Sequence, residues 1–407
     1  MTGPLNHVRV LELSRILAGP WAGQTLADLG ATVIKVEKPG VGDDTRTFGP
    51  PFFTTSDGRK TEESAYFMST NRGKRSVTID FFQPEGRQLI TKLAALSDVV
   101  IENFKVGSLT KFGLDYASLN AVNPCLIYCS ITGFGQTGPH RDKPGYDFMI
   151  QGTGGLMSVT GEPDDRPGGG PVKVGVAVAD IFTGLYATIA ILGALASRDR
   201  TGQGQQIDIS LLDSQVAILA NQAMNYLVAG RSPQRMGNAH PNIVPYQVFA
   251  TSDGHVILAV GNQSQFARFC ELVERPELVD DPRFADNPAR VDHRDELIPI
   301  LNEIFRTRSS HDWIYTLENA GVPCGPINTI ADVFADPQVQ ARGLQLELQH
   351  PVLGAVPSVA GPINYSNTKI SYERAAPMLG EHTDEVLRNL LGVTPDEIQR
   401  MRKNGIV

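Results

Sequence analysis

Cysteine is scarce in this chain and nowhere closely paired. The four are Cys125, Cys129, Cys270 and Cys324. None forms a C-x-x-C, and the scatter fits reduced thiols rather than a disulfide framework. Cys125 and Cys129 stand four apart in an expected strand, where they read as packed core thiols. Positive charge is also short: 36 Lys and Arg face 44 Asp and Glu, a net charge of -8. That argues against a nucleic-acid binder, which needs a broad basic face. A small polyanion needs only a local patch. The run Asn71–Arg75 is one candidate, and a solvated loop is its simpler reading. No uninterrupted apolar stretch reaches the length of a membrane span. The opening residues Met1–His7 carry no apolar leader, so a cytoplasmic enzyme is expected. No cluster of histidine, cysteine and carboxylates has metal-ligand spacing, so no metal is expected. The first βα turn, Ser14–Pro20, is not G-x-G-x-x-G, and no P-loop occurs, so both nucleotide fingerprints are missing.

What the chain has is a strand–helix rhythm. Strands are expected at Val8–Leu13, Thr32–Glu37, Ser76–Asp80, Asp98–Glu102, Leu126–Ile131 and Gln205–Ser210. Helices are expected at Pro20–Leu29, Pro84–Leu96, Tyr116–Val122, Asp180–Ser197 and Leu211–Ala229. Such alternation predicts an α/β fold with a mostly parallel, Rossmann-like sheet. At 407 residues the chain exceeds what one core usually holds, so two domains are expected. Character changes near residue 230, where Thr251–Gly254 marks a hairpin and helical patterns follow. Residues 230–325 are therefore read as a smaller α+β domain after a large domain at 1–229. Near the end of the chain, Thr383 is the expected cap of a final helix pattern.

Asp180 is the residue that most constrains function. It closes an apolar, glycine-bearing stretch and opens a long apolar helix pattern. A carboxylate there can cap the helix. It can equally be a positioned, partly desolvated nucleophile.

Several segments in order resemble the class III CoA-transferase family, which includes formyl-CoA transferase and carnitine CoA-transferase. They are Arg15–Pro20, Gly30–Pro39, Gly42–Arg46, Asn71–Ser76, Glu102–Phe104, Ile131–Gly135, Gly145–Asp147, the Asp180 segment and Leu379–Thr383. The resemblance implies a large Rossmann-like domain built from both chain ends, with residues 326–407 returning to it. It also implies an interlocked homodimer. Coenzyme A, as an acyl-CoA, would be a substrate, and no permanently bound cofactor is expected.

The resemblance places Asp180 at the catalytic aspartate, carrying acyl and then CoA groups. A helix start would help keep it ionised. Leu17, Ala18, Lys38, Ile79, Asn103, Phe104, Lys111 and Tyr146 fall at positions expected to hold CoA. Phe82 departs from the family's pattern, standing where formyl-CoA transferase has a lysine. His240 lies where that enzyme has a glycine-rich loop over its site; a place near substrate and an exposed loop histidine both stay open. Asp43–Arg46 followed by Gly49–Pro51, Tyr128–Gly133 and Ile243–Gln247 are most similar to members that exchange CoA between succinyl-CoA and glutarate. Arg15 and Arg46 are then candidate partners for a second substrate carboxylate, with CoA phosphate contact or a structural ion pair as the other readings. An α-methylacyl-CoA racemase of the same fold is the alternative. It would need acid–base groups on both faces of the α-carbon, and its motif has histidine where this chain has Tyr146. A tyrosine, with an ordinary pKa near ~10, is a poor partner at neutral pH. A non-catalytic CoA-binding protein is the third reading, against which Asp180 stands.

Overall fold

The computed structural model describes residues 3–407, which divide into two compact units. One comprises residues 3–156, 174–223 and 338–407; the other comprises 157–173 and 224–337. The glycine- and proline-rich stretch before Asp180 thus belongs largely to the smaller unit. Sequence reading had left it in the large domain, because loop composition does not say which core a loop packs on.

In the larger unit, six strands form one parallel sheet. They are β1 (Arg9–Glu12), β2 (Thr32–Glu37), β3 (Arg75–Thr78), β4 (Val99–Glu102), β5 (Ile127–Thr132) and β6 (Gln206–Ser210). Their order is β3-β2-β1-β4-β5-β6. The central strands are almost wholly buried, as expected of a parallel sheet covered on both faces. On one face lie helices α1 (Ala18–Asp28) and α5 (Val178–Thr201). On the other lie α2 (Pro84–Ala95), α3 (Tyr116–Val122) and the last helices, Thr383–Leu391 and Pro395–Lys403. The remaining helices that matter here are α4 (Asp147–Thr153) and α6 (Leu211–Ala217). Helices α1 and α5 cross closely because Gly184 has no side chain: a Cβ there would meet the Ala18 carbonyl oxygen at 2.6 Å.

The smaller unit has an antiparallel sheet of Tyr246–Ala250, His255–Ala259 and Cys324–Gly325. Helices Gln263–Leu272, Arg294–Phe305 and Ser310–Asn319 supply its core, with Phe249, Phe266, Phe269, Phe305 and Trp313 buried together.

Several local expectations fail for physical reasons. The apolar run 211–229 is two helices, α6 and Ala220–Ala229, because Ala220 takes φ 45. Thr383 is not a cap: its hydroxyl accepts the Thr78 amide at 3.0 Å, and His382 stands at the cap. Cys129 is buried, but Cys125 lies exposed before the strand and donates to the Gly202 carbonyl. By length and composition α5 could cross a membrane, with mean hydropathy 1.8; one of its faces is buried against the sheet and α1. The run Asn71–Arg75 is neither a solvated loop nor a free cationic patch. Arg72 pairs with Asp28, Lys74 is fully buried against Glu12 at 2.8 Å, and Arg75 reaches Glu385.

Lys74 belongs to a buried ionic network at the strand ends. Register places Glu12 beside Lys35. Lys35 Nζ lies 3.1 Å from Glu12 and 2.9 Å from Asp43. The Asp43 amide donates to Glu37 at 3.0 Å, and Glu37 is forked by Arg46. Removing one partner of such a network leaves an uncompensated buried charge, which costs about 3–5 kcal/mol. Lys35→Met should therefore lower unfolding stability by about that amount in urea titration. Arg59→Met, which removes the exposed Arg59–Asp57 pair, should leave the urea midpoint nearly unchanged.

Candidate active site

A parallel sheet of this order reverses direction between β1 and β4, and ligands bind outside the carboxyl ends of strands at such a point. A cleft of about 400 Å³ lies there. The turn after β1 supplies Arg15, Ile16, Leu17 and Ala18, and the loop after β4 supplies Asn103 to Val106. The loop from Arg141 to Tyr146 and the start of α5, with Asp180, complete it. That loop can approach because Gly145 has no side chain: a Cβ there would lie 2.2 Å from the Gly133 Cα.

Asp180 is not the cap of α5. Ala177 stands at the cap with no side-chain bond, and Asp147 takes the role from another helix. Its Oδ1 accepts the amides of Ala179 at 2.8 Å and Asp180 at 3.4 Å. Its Oδ2 accepts Gln151 Nε2 at 2.7 Å. The Asp180 carboxyl is left without a hydrogen-bond partner among the described residues. Burial, and then the neighbouring Asp147 charge, push its pKa up to about 7. The expected help from the helix start is outweighed, because Asp147 occupies the amides that would have supplied it. Tyr66, which sequence reading missed, also stands near: burial, then Asp180 and Asp147, raise its phenol to about 12. It remains a proton donor. Its signal in the sequence was one tyrosine in a short helix, which nothing local distinguishes.

The cleft gathers Arg15, Leu17, Ala18, Asn103, Phe104, Tyr146 and Asp180. Leu17 and Ala18 are buried at the start of α1. The Arg15 side chain is exposed, 3.0 Å from Asp44, and Tyr146 is 62% exposed. The Asn103 side chain grips the backbone of Arg15, accepting its amide at 2.9 Å and donating to its carbonyl at 2.7 Å. Lys105, Arg141 and Lys143 also line the cleft. They are scattered singly in sequence, so no run announced them.

Four expected residues, and Phe82 with them, do not line the cleft. Arg46 is a correction: it is buried, bound to Glu37, Glu63 and the Pro377 carbonyl, and stacked 3.7 Å over Phe67. Four of its five N–H donors are engaged within the protein, so the structure shows Arg46 in a structural ion pair. Ile79 is 1% exposed within the core, so its side chain offers no open face for adenine to stack on. Lys38 is exposed just past β2. Lys111 lies 4.8 Å over Phe112, lining a separate surface cleft with Arg87 and Lys92. Phe82 is exposed and stacked on Phe81 in the same aromatic cluster. His240 belongs to the smaller unit, half-buried and packed on Tyr246, its Nδ1 accepting the Asn242 amide at 3.0 Å. Burial and Arg294 lower its pKa. No metal-binding group of His, Cys and carboxylates occurs among the described residues.

Fold and site together define an α/β enzyme with a desolvated carboxyl in a cleft lined by cations. The chain belongs to CoA-transferase family III, whose profile matches residues 5–383, and it is a class III CoA-transferase. It is 54% identical over 387 residues to a succinate–glutarate CoA-transferase of Agrobacterium fabrum, spanning 95% of this chain and 96% of that one. It is 46% identical over 405 residues to the human succinyl-CoA:glutarate CoA-transferase, spanning 99% and 90%. A crystal structure of a CAIB/BAIF family protein from Brucella suis matches with TM-score 0.84 and 55% identity, over 96% of this chain and all of that one.

The raised Asp180 pKa carries a stability signature. The folded state keeps a proton between about pH 4 and pH 7 that the unfolded state has lost. Stability therefore falls as pH rises through that window, and the loss is complete above it. Asp180→Asn removes this effect. The variant should melt at or above the native temperature, with the gap absent near pH 4 and fully open above pH 7. A variant that melts lower at pH 8 would contradict a desolvated Asp180.

Proposed function

We propose that this enzyme moves CoA from succinyl-CoA to glutarate, with Asp180 as the nucleophile. The observation that carries the reading is the unpartnered Asp180 carboxyl in the cleft; the two relatives named above supply the acids. The Asp180 carboxylate attacks the thioester carbonyl, releasing CoA thiolate and forming a mixed anhydride. The thiolate then attacks the aspartyl carbonyl, giving an aspartyl-CoA thioester and free succinate. Glutarate attacks that thioester, forming a new anhydride and releasing the thiolate again. The thiolate finally takes the glutaryl carbonyl and frees Asp180. Each step exchanges one acyl bond for another, so thioester energy is kept from water. Only the ionised carboxylate attacks, so kcat/KM should rise with pH and level off above about 7.

One diacid carboxylate reacts and the other stays charged, so a cation should meet it. With Arg46 committed to Glu37 and Glu63, Arg15 is the one of the two expected arginines that lines the cleft and can do so. The test has three arms. Intact mass of native enzyme with succinyl-CoA should show a CoA-sized adduct on Asp180, and Asp180→Ala should bind CoA without transfer. Glutarate should far outperform butyrate, and Arg15→Met should narrow that preference while Arg46→Met lowers stability instead. No α-proton exchange should occur with a 2-methylacyl-CoA in heavy water. Turnover by Asp180→Ala would end the mechanism, and equal use of butyrate would end the diacid assignment.

The reading includes a homodimer. Helix α5 leaves Phe182, Leu185, Tyr186 and Ile189 exposed in the single chain, an apolar face that a second copy would cover. Sedimentation should give twice the chain mass, and a monomer at micromolar concentration would refute this.

A further inference from the structure

One residue in the cleft has a backbone that its side chain disfavours. Ile16 takes φ 72, and a positive φ in a β-branched residue is a genuine outlier. Such conformations persist only where the surroundings over-determine them. Here side chains from three other segments grip the turn. Lys35 Nζ donates to the Ser14 carbonyl at 2.9 Å. Asn103 holds both the amide and the carbonyl of Arg15. Asp43 accepts the Ile16 amide at 3.2 Å and is itself fixed by Lys35 and by Thr45. Immediately beyond, α1 begins, and the amides of Leu17, Ala18 and Gly19 find no acceptor among the described residues. Leu17 and Ala18 line the cleft.

We propose that Asn103, Asp43 and Lys35 are positioning residues: they force Ile16 into its left-handed conformation and so aim the first amides of α1 at the acyl-CoA. None needs to touch the substrate. Asn103, which lines the cleft, acts chiefly by bridging the two loops at the point where the sheet reverses. The kinetic consequence rests on the acyl-CoA reading of the cleft; the positioning itself does not.

The discriminating pair is Asn103→Ala and Ile16→Asn. Asn103→Ala removes a grip on the turn. Ile16→Asn makes the left-handed conformation intrinsic, because asparagine visits it readily. In Asn103→Ala, amide hydrogen exchange across residues 14–20 should speed up, and KM for acyl-CoA should rise roughly tenfold with kcat little changed. Adding Ile16→Asn should slow the exchange and recover most of the KM. Asn103→Asp keeps the acceptor for the Arg15 amide, loses the donor to its carbonyl, and should fall between. Unchanged exchange in Asn103→Ala overturns the proposal. So does a raised KM that Ile16→Asn leaves in place, the result expected if the Asn103 side chain bound substrate directly. Hydrogen exchange reads the turn even in the absence of turnover, so failure of the transferase reading would appear separately, as native enzyme that neither binds nor transfers CoA.

Discussion

The ammonium of Lys35 ties strands β1 and β2 to the turn that builds the cleft. Its three donors meet Glu12, Asp43 and the Ser14 carbonyl. Burial works against its charge, but Asp43, Glu12 and Glu37 together hold its pKa above the ordinary value. Lys74 shows the contrast. It shares Glu12 with Lys35 and has no second carboxylate bonded to it, so burial wins and its pKa falls to about 8. Two equally buried lysines thus differ because one faces two carboxylates and the other shares one. A buried ionic set of this kind is weak evidence for stability. What it supplies here is geometry, since its members bond backbone groups at Ser14, Ile16 and Pro20.

Asp180 illustrates the opposite use of burial. Its carboxyl has no hydrogen-bond partner among the described residues, and Asp147 takes the amides that would have stabilised its charge. The carboxylate is therefore held less stable than in water, which favours any state in which it has shared its charge with an acyl carbon. Rigid support is needed for that arrangement to persist. It comes from a 24-residue helix locked against α1 at Gly184. Glu102, at the end of β4, is also buried and raised to about 7. It keeps two hydrogen bonds, from Ser130 and the Phe104 amide, and so fixes the loop rather than reacting.

Much of the fold was legible because the signals were local. The strand–helix rhythm placed β2 and α3 to the residue. What failed was pairing across long separations. The run Asn71–Arg75 reads as solvated until Glu12, Asp28 and Glu385 are brought to it, up to 310 residues away. Thr383 reads as a cap until Thr78 claims its hydroxyl. Arg46 reads as a free cation until Glu37 and Glu63 fork it. Asp180 was identified because a lone carboxylate between apolar runs is rare. Its helper Asp147 and its neighbour Tyr66 carry no such mark, since their meaning lies in what they face.

The same reasoning explains why charge counting could not find the cations that line the cleft. The chain is acidic overall, and the basic run Asn71–Arg75 is neutralised by carboxylates from elsewhere in the chain. A cation buried against a carboxylate projects almost no field into solvent, whatever its place in the sequence. The cations that do reach the cleft are Arg15, Lys105, Arg141 and Lys143, all exposed and each on a loop. They converge because the loops that follow the paired strands β1 and β4 and the loop through Gly145, packed on Gly133, all line one cleft. Their concentration is therefore a property of topology. A run of basic residues would have to be unpaired to act, whereas single cations on converging loops need only a backbone that brings them together, which is what the grip on the Ile16 turn supplies.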